Sequence, residues 1–281
     1  VTRQMALNIL AGGAGINALA NGTGWEITLV DAGIMGDEFP PDRELDAVCS
    51  FVRARIGSGT RNSFEEPAMT GAETERALDQ GRALAEDAAK RSFDLTAIGD
   101  LGIGNTSTAA AMLVAAGFRA EDVVDRGTGI DAAMLENKRR VVDEAAKRRS
   151  PPKDDGKAIL RNLGSFDFAM MAGFILGLEN KGIACVLDGF PVSAAAYMAY
   201  LINPLARNWL FAGHLSKVAG HRPLLERMGL DPIVDLDMRL GEGTGAVIGG
   251  HIVELGVKAA REMASFSSAH VSDAEKAEEK Y

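Results

Sequence analysis

The 281-residue chain predicts an α/β fold, a three-layer α/β/α arrangement with a mainly parallel, Rossmann-like sheet. Three observations carry this. Short apolar runs alternate with helix-length segments, the order of strands joined by helical crossovers. Four of those runs end alike, in Asp31-Ala32-Gly33, Gly99-Asp100, Asp188-Gly189 and Gly213-His214. The length and the 47% hydrophobic content suit one large core. Residues 1–264 read as a single domain, and 265–281 as a polar tail that frays. In an open parallel sheet the carboxyl ends of the strands share one edge, where ligands bind. Asp-Gly also makes good turns with no ligand involved, so one such ending alone carries no meaning.

The elements follow in order. Arg3 to Ala20 reads as a helix, with small residues at Ala11-Gly12-Gly13-Ala14-Gly15 for close packing. Glu26-Ile27-Thr28-Leu29-Val30 is a short buried strand, and Asp42 to Gly57 is mixed. Gly71 to Lys90 is a helix with Leu78 and Leu84 on its apolar side, and Leu95-Thr96-Ala97-Ile98 is the next strand. Thr106 to Ala116 is a helix of small residues. Ala132 to Arg149 is a charged amphipathic helix, ended by Ser150-Pro151-Pro152. Phe166 to Asn180 is an apolar helix, Ala184-Cys185-Val186-Leu187 a strand and Ser193 to Ile202 a buried helix. Asn208-Trp209-Leu210-Phe211 reads as a further strand, and Ile252 onward as a helix.

Composition excludes several classes. A net charge of −9 argues against a nucleic-acid partner, which calls for a basic face. Two cysteines, Cys49 and Cys185, make neither a disulfide framework nor a metal pair, so a cytoplasmic location is the default. Four histidines with no HExxH or CxxC count against a catalytic metal. No signal peptide and no apolar run of membrane-spanning length is visible. The chain opens Val-Thr-Arg-Gln-Met, which reads as processing or as a fragment of something longer.

The stretch richest in chemistry is Leu236 to Ala246. Glu242 stands there between Gly241 and Gly243, just before the small apolar run Ala246 to Gly250. Flanking glycines let the backbone turn sharply and let a ligand approach it. If Thr244 opens a helix, Glu242 lies at its positive end, placed to take a proton from a bound group. A glycine-stabilised turn or helix cap is the plain alternative. Gly99-Asp100-Leu101-Gly102-Ile103-Gly104-Asn105-Thr106 follows a strand and opens a helix, the setting in which backbone N–H groups hold a phosphate. It is neither a Walker loop nor a dinucleotide fingerprint, which leaves one phosphate, as in a mononucleotide, or a capped turn. Arg126-Gly127-Thr128-Gly129 is a second glycine loop, followed by Lys138, a point charge for phosphate or part of a solvated helix face. Gly57 to Asn62 reads as a surface loop or a lid, with Thr70 capping the next helix. His214 and His221 lack any nucleophile elbow and read as structural hydrogen-bonding residues.

Taken together, these segments resemble the nicotinate-nucleotide–dimethylbenzimidazole phosphoribosyltransferase family. The matching runs keep the family's order: Val1-Thr2-Arg3-Gln4-Met5 with Gly12-Gly13-Ala14-Gly15-Ile16-Asn17, Gly59-Thr60-Arg61-Asn62 with Glu66-Pro67-Ala68-Met69-Thr70, Gly99 to Ala110, Arg126 to Gly129, Asp188-Gly189-Phe190, Gly220-His221-Arg222 and Arg239 to Ala246. The Gly99 and Arg239 runs are the specific ones. The resemblance implies attack of an aromatic-base nitrogen on C1′ of nicotinate mononucleotide, with nicotinate leaving and an α-linked ribotide forming for a cobamide lower ligand. It implies Glu242 as the general base. It also implies that Asp100, Gly102, Gly104, Asn105, Thr106, Gly127, Thr128, Gly129, Lys138 and Gly241 hold the nucleotide, with no metal or other cofactor. Asp100 stands where the family usually carries a glutamate, and family members continue upstream of Val1-Thr2, into part of the base pocket. A non-catalytic or partner-dependent nucleotide-binding homologue is therefore the alternative. A homodimer is implied, with Phe166 to Leu178 as interface helix or ordinary core.

Overall fold

A computed structural model describes residues 1–41, 44, 45, 47–125 and 131–271. Contacts group them into two units, Val1–Gly250 and residues from His251 on. The chain runs α1 (Thr2–Leu10), α2 (Gly15–Thr23), β1 (Thr28–Asp31), β2 (Ser50–Arg53), α3 (Gly71–Lys90) and β3 (Leu95–Ile98). It continues through α4 (Asn105–Ala115), α5 (Ala120–Val123), α6 (Ala132–Arg149), α7 (Gly156–Leu163), α8 (Phe166–Gly177) and β4 (Ala184–Leu187). Then come α9 (Phe190–Ile202), β5 (Leu210–His214), α10 (His221–Met228), β6 (Pro232–Val234) and α11 (Thr244–Glu262). The fold is α/β, and every strand pairing among the described residues is parallel.

The strands form a two-stranded sheet, β1-β2, and a four-stranded sheet in the order β3-β4-β5-β6. Register sets the site. Ile98 lies opposite Leu187, and Leu187 opposite Ala212, so β3 and β4 end level with Ala212, just before the last two residues of β5. Gly99-Asp100, Asp188-Gly189 and Gly213-His214 therefore share one carboxyl edge. The fourth predicted ending is different: Asp31 closes β1 in the smaller sheet, where its Oδ1 accepts from Gly33 and Ile34 N–H at 2.9 Å each. There the turn reading holds. The predicted helix from Arg3 to Ala20 is two helices, broken at the Gly12-Gly13 step with Gly12 at φ 82°. Asn17 ties them, accepting from Ala14 N–H at 3.1 Å and donating to Ile9 O at 3.0 Å.

β4 is the central buried strand, with Cys185, Val186 and Leu187 fully covered. α8 is core: Phe168, Ala169, Ala172 and Ile175 are inaccessible, which answers the interface alternative for Phe166 to Leu178. α8 crosses α3 at two glycines. A Cβ on Gly173 would lie 2.7 Å from Leu78 C, and one on Gly81 2.5 Å from Phe174 N. Backbone cannot step aside as a flexible side chain can. Gly173→Ala is accordingly expected to lower stability by about 2 kcal/mol or more. Thermal unfolding checks this, with Gly22→Ala as control, since a Cβ there meets nothing within 4 Å.

α3 begins as predicted at Thr70, whose Oγ1 accepts from Glu73 N–H at 3.2 Å while Glu73 accepts from Thr70 N–H at 2.6 Å. Arg61 hydrogen-bonds Glu73 and holds its pKa down at about 2, fixing the Gly57 to Asn62 stretch to the helix. Among the described residues no helix is long and apolar enough to cross a membrane.

Candidate active site

The first wall is the glycine loop between β3 and α4. Gly104 turns the chain at φ 91°, and among the described residues no side chain caps α4. Asn105 N–H donates to Gly102 O at 3.3 Å and Ser107 N–H to Gly104 O at 2.9 Å, so the helix start offers an anion its positive end rather than a set of free amides. Asn105 Nδ2 donates to Asp100 Oδ2 at 2.7 Å, closing the loop on itself. Burial, and next the charge of Asp167, push the Asp100 pKa well above the usual carboxylate range. Asp167 sits in the first turn of α8 and accepts from the Ser165 hydroxyl. Sequence reasoning missed it. Its signal was that it is the only acid in the apolar run Phe166 to Leu178.

Lys138 reaches the same loop from α6. Its Nζ donates to Thr106 Oγ1 at 3.2 Å and to Asp125 O at 3.1 Å. Burial lowers its pKa, with the Asp125 charge opposing. Asp125 Oδ2 accepts in turn from Ala219 N–H at 3.1 Å, linking this corner to the chain beyond β5. Arg126, Gly127, Thr128 and Gly129, predicted to join the site, lie outside the described residues.

The second wall carries Glu242. Gly241, Glu242 and Gly243 are consecutive left-handed residues, at φ 81°, 63° and 88°. For the glutamate that conformation costs about 1–2 kcal/mol, so the surroundings must impose it. They do so through the backbone. A Cβ on Gly99 would lie 2.5 Å from Gly243 Cα and 2.8 Å from Glu242 C, so the loop rests directly on the end of β3. A Cβ on Gly249 would lie 2.5 Å from Gly213 Cα, seating α11 on the end of β5 in the same way. Thr244 Oγ1 donates to Gly241 O at 2.7 Å.

Thr244 does open a helix, but its positive end is occupied by Asp188 rather than by Glu242. Asp188 Oδ2 accepts from Gly243 N–H at 3.0 Å, and Oδ1 from Gly245 and Ala246 N–H at 2.8 and 3.3 Å. The Glu242 side chain turns instead to α2, where Oε2 accepts from Ile16 N–H at 3.4 Å. Gly241 lies beside the Asp100 backbone, with an added Cβ 4.0 Å from Asp100 O. Asp100, Gly241 and Glu242 are thus neighbours, and Thr106 and Lys138 stand together along the adjoining loop.

Behind Asp188 is a buried polar layer. His221 accepts from Ser216 N–H through Nδ1 at 2.9 Å, which leaves Nε2–H to donate to Ser193 Oγ at 2.9 Å. Burial, and next the adjacent His214, hold its pKa down to about 3, so the ring is neutral. This fits the structural role predicted for it. His214 is packed differently, with Nε2 3.4 Å from Asp188 Oδ1 and its ring against the Gly245 backbone.

Comparison with known proteins matches this geometry to one family. A family described as phosphoribosyltransferase matches residues 1–271. The nicotinate-nucleotide–dimethylbenzimidazole phosphoribosyltransferase of Desulforamulus reducens is 41% identical over 273 residues, 97% of this chain and 76% of that protein. The enzyme of the same name from Citrifermentans bemidjiense is 39% identical over 273 residues, with the same coverage of both chains. The crystal structure of CobT from Thermus thermophilus superposes with a TM-score of 0.88 at 41% identity, over 96% of this chain and 79% of that one. With agreement of this extent in both sequence and fold, the chain belongs to the nicotinate-nucleotide–dimethylbenzimidazole phosphoribosyltransferase family.

Proposed function

We propose that the chain transfers the 5-phosphoribosyl group of nicotinate mononucleotide to an aromatic base such as 5,6-dimethylbenzimidazole. The products are nicotinate and an α-ribazole phosphate for the cobamide lower ligand. One observation carries the assignment of roles: a glutamate held in a left-handed glycine collar at the sheet edge, beside Asp100 and the loop that leads into α4. In this reading the positive end of α4, with Gly102, Gly104, Asn105, Thr106 and Lys138, binds the phosphate end of the nucleotide. Gly127, Thr128 and Gly129 complete that binding. Asp100, its carboxyl pKa raised by burial and by the charge of Asp167, hydrogen-bonds the ribose.

The base nitrogen attacks C1′, the C1′–N bond to nicotinate breaks, and the pyridinium takes the bonding pair as it leaves. Glu242 accepts the azole N–H proton. An azole N–H is far too weak an acid to ionise unaided at neutral pH, so a positioned acceptor is required. The leaving pyridinium already carries positive charge, so no metal is needed to draw electrons from C1′. We place the protein in the cytoplasm as a homodimer. Exposed Ile252, Leu255, Val257, Met263 and Phe266 in the second unit supply an apolar surface for such pairing.

Chromatography of nicotinate released from nicotinate mononucleotide, with and without 5,6-dimethylbenzimidazole, tests the reaction. Release is expected to depend on the base and to match α-ribazole phosphate one to one. Base-independent release would make the protein a glycohydrolase. Binding of the mononucleotide without turnover would favour the partner-dependent homologue.

A further inference from the structure

We infer that Asp188 is a positioning residue for Glu242, and that its carboxylate fixes the loop from which the base acts. The inference rests on the reading of Glu242 as the base. Asp188 is 2% exposed and follows the most deeply buried strand, so its own placement is rigid. Its two oxygens take three amides on both sides of Thr244, from Gly243, Gly245 and Ala246. Glu242 is bonded directly to the first of these through the peptide link. Among the described residues the glutamate side chain has one hydrogen bond, a long one of 3.4 Å from Ile16 N–H. Its direction is therefore dictated chiefly by the backbone, and the backbone there is left-handed at φ 63°.

His214 removes the remaining freedom of the clamp. Its Nε2 lies 3.4 Å from Asp188 Oδ1, and a Cβ on Gly245 would fall 2.5 Å from its Cγ, so the ring is wedged between carboxylate and helix start. His221, tied to Ser193 and Ser216, backs this arrangement. Asp188 is buried and its oxygens face the amides of the loop. Its contribution is geometric, and displacement of the base by about 1 Å is enough to cost about 10²-fold in rate.

Asn is isosteric but must present an NH2 donor to the Gly243 or the Gly245 N–H, so Asp188→Asn disturbs the loop while keeping the volume. Steady-state kinetics on the full chain with nicotinate mononucleotide and 5,6-dimethylbenzimidazole compare Asp188→Asn, Glu242→Gln and the double variant. The expected result is a kcat about 10²-fold lower in Asp188→Asn, with both KM values within about threefold, and little further loss when it is added to Glu242→Gln. An equal loss in both backgrounds, or KM rising in step with a fall in thermal midpoint, would show a merely structural residue and overturn the inference. Full activity of Glu242→Gln would instead overturn the base assignment, so the two failures are told apart. Asp188→Glu gives an independent check should the Asn variant not fold. It keeps the helix-capping charge, so stability recovers, while the extra methylene shifts the loop and kcat stays low. Recovery of kcat along with stability would count against positioning.

Discussion

Replacing Glu242 by Gln is expected to lower kcat by about 10²–10⁴-fold, the usual contribution of a general base. The side chain keeps its size, and its carbonyl oxygen can still accept from Ile16 N–H. The loop conformation is set by Gly241, Gly243 and the Asp188 clamp, none of which the change touches. What is lost is the ability to accept a proton. KM for nicotinate mononucleotide should accordingly stay within about threefold, since an interaction made only in the transition state affects kcat and kcat/KM alike. Quantifying α-ribazole phosphate over time decides the matter. A variant rate within about threefold of the unmodified enzyme would remove Glu242 from proton transfer.

The second large effect is expected at a residue with no side chain. An added methyl on Gly99 would sit 2.5 Å from Gly243 Cα and 2.8 Å from Glu242 C, with only backbone to yield. Gly99→Ala must lift the Glu242 loop off the end of β3 or distort the strand end itself. Overpacking of this kind costs about 1–3 kcal/mol in stability. The activity loss should be larger than that cost implies, about 10²-fold or more in kcat at temperatures where the variant is fully folded. Circular dichroism establishes the folded range and kinetics are measured within it. Retention of at least half the activity would mean that the glutamate does not need this seat.

Much of the fold was legible because its signals are local. Gly71–Lys90 and Ala132–Arg149 coincide with their predicted bounds, since apolar periodicity and caps such as Thr70 and Asp131 lie within the segment. Leu95–Ile98 and Ala184–Leu187 were likewise readable as short apolar runs. β2, β6 and α10 were not, being three to eight residues long and held by neighbours distant in sequence. α7 carried a readable cap, Asp155, which accepts from Ala158 N–H at 2.8 Å, but Ser150 to Gly156 reads first as a terminator.

The site divided in the same way. Glu242 announced itself through its flanking glycines, and the α4 loop through its glycine spacing. The clamp from Asp188 spans 55 residues to Gly243, and no local pattern encodes that distance. Asp188 therefore read as a strand ending at the ligand edge or a turn residue, with no link to Glu242, and Asp167 went unread.

The glycine seats bear on how such an enzyme can change its acceptor. Gly99 under Gly243 and Gly213 under Gly249 form a mounting built wholly of main chain. A mounting of that kind has no rotamers to adjust and no intermediate substitutions to pass through. Drift toward a different aromatic base has to proceed at positions away from it, where side chains can be exchanged singly without unseating the reaction centre. Lineages using different bases should then vary around the rim of the site and keep the same four glycines beneath it.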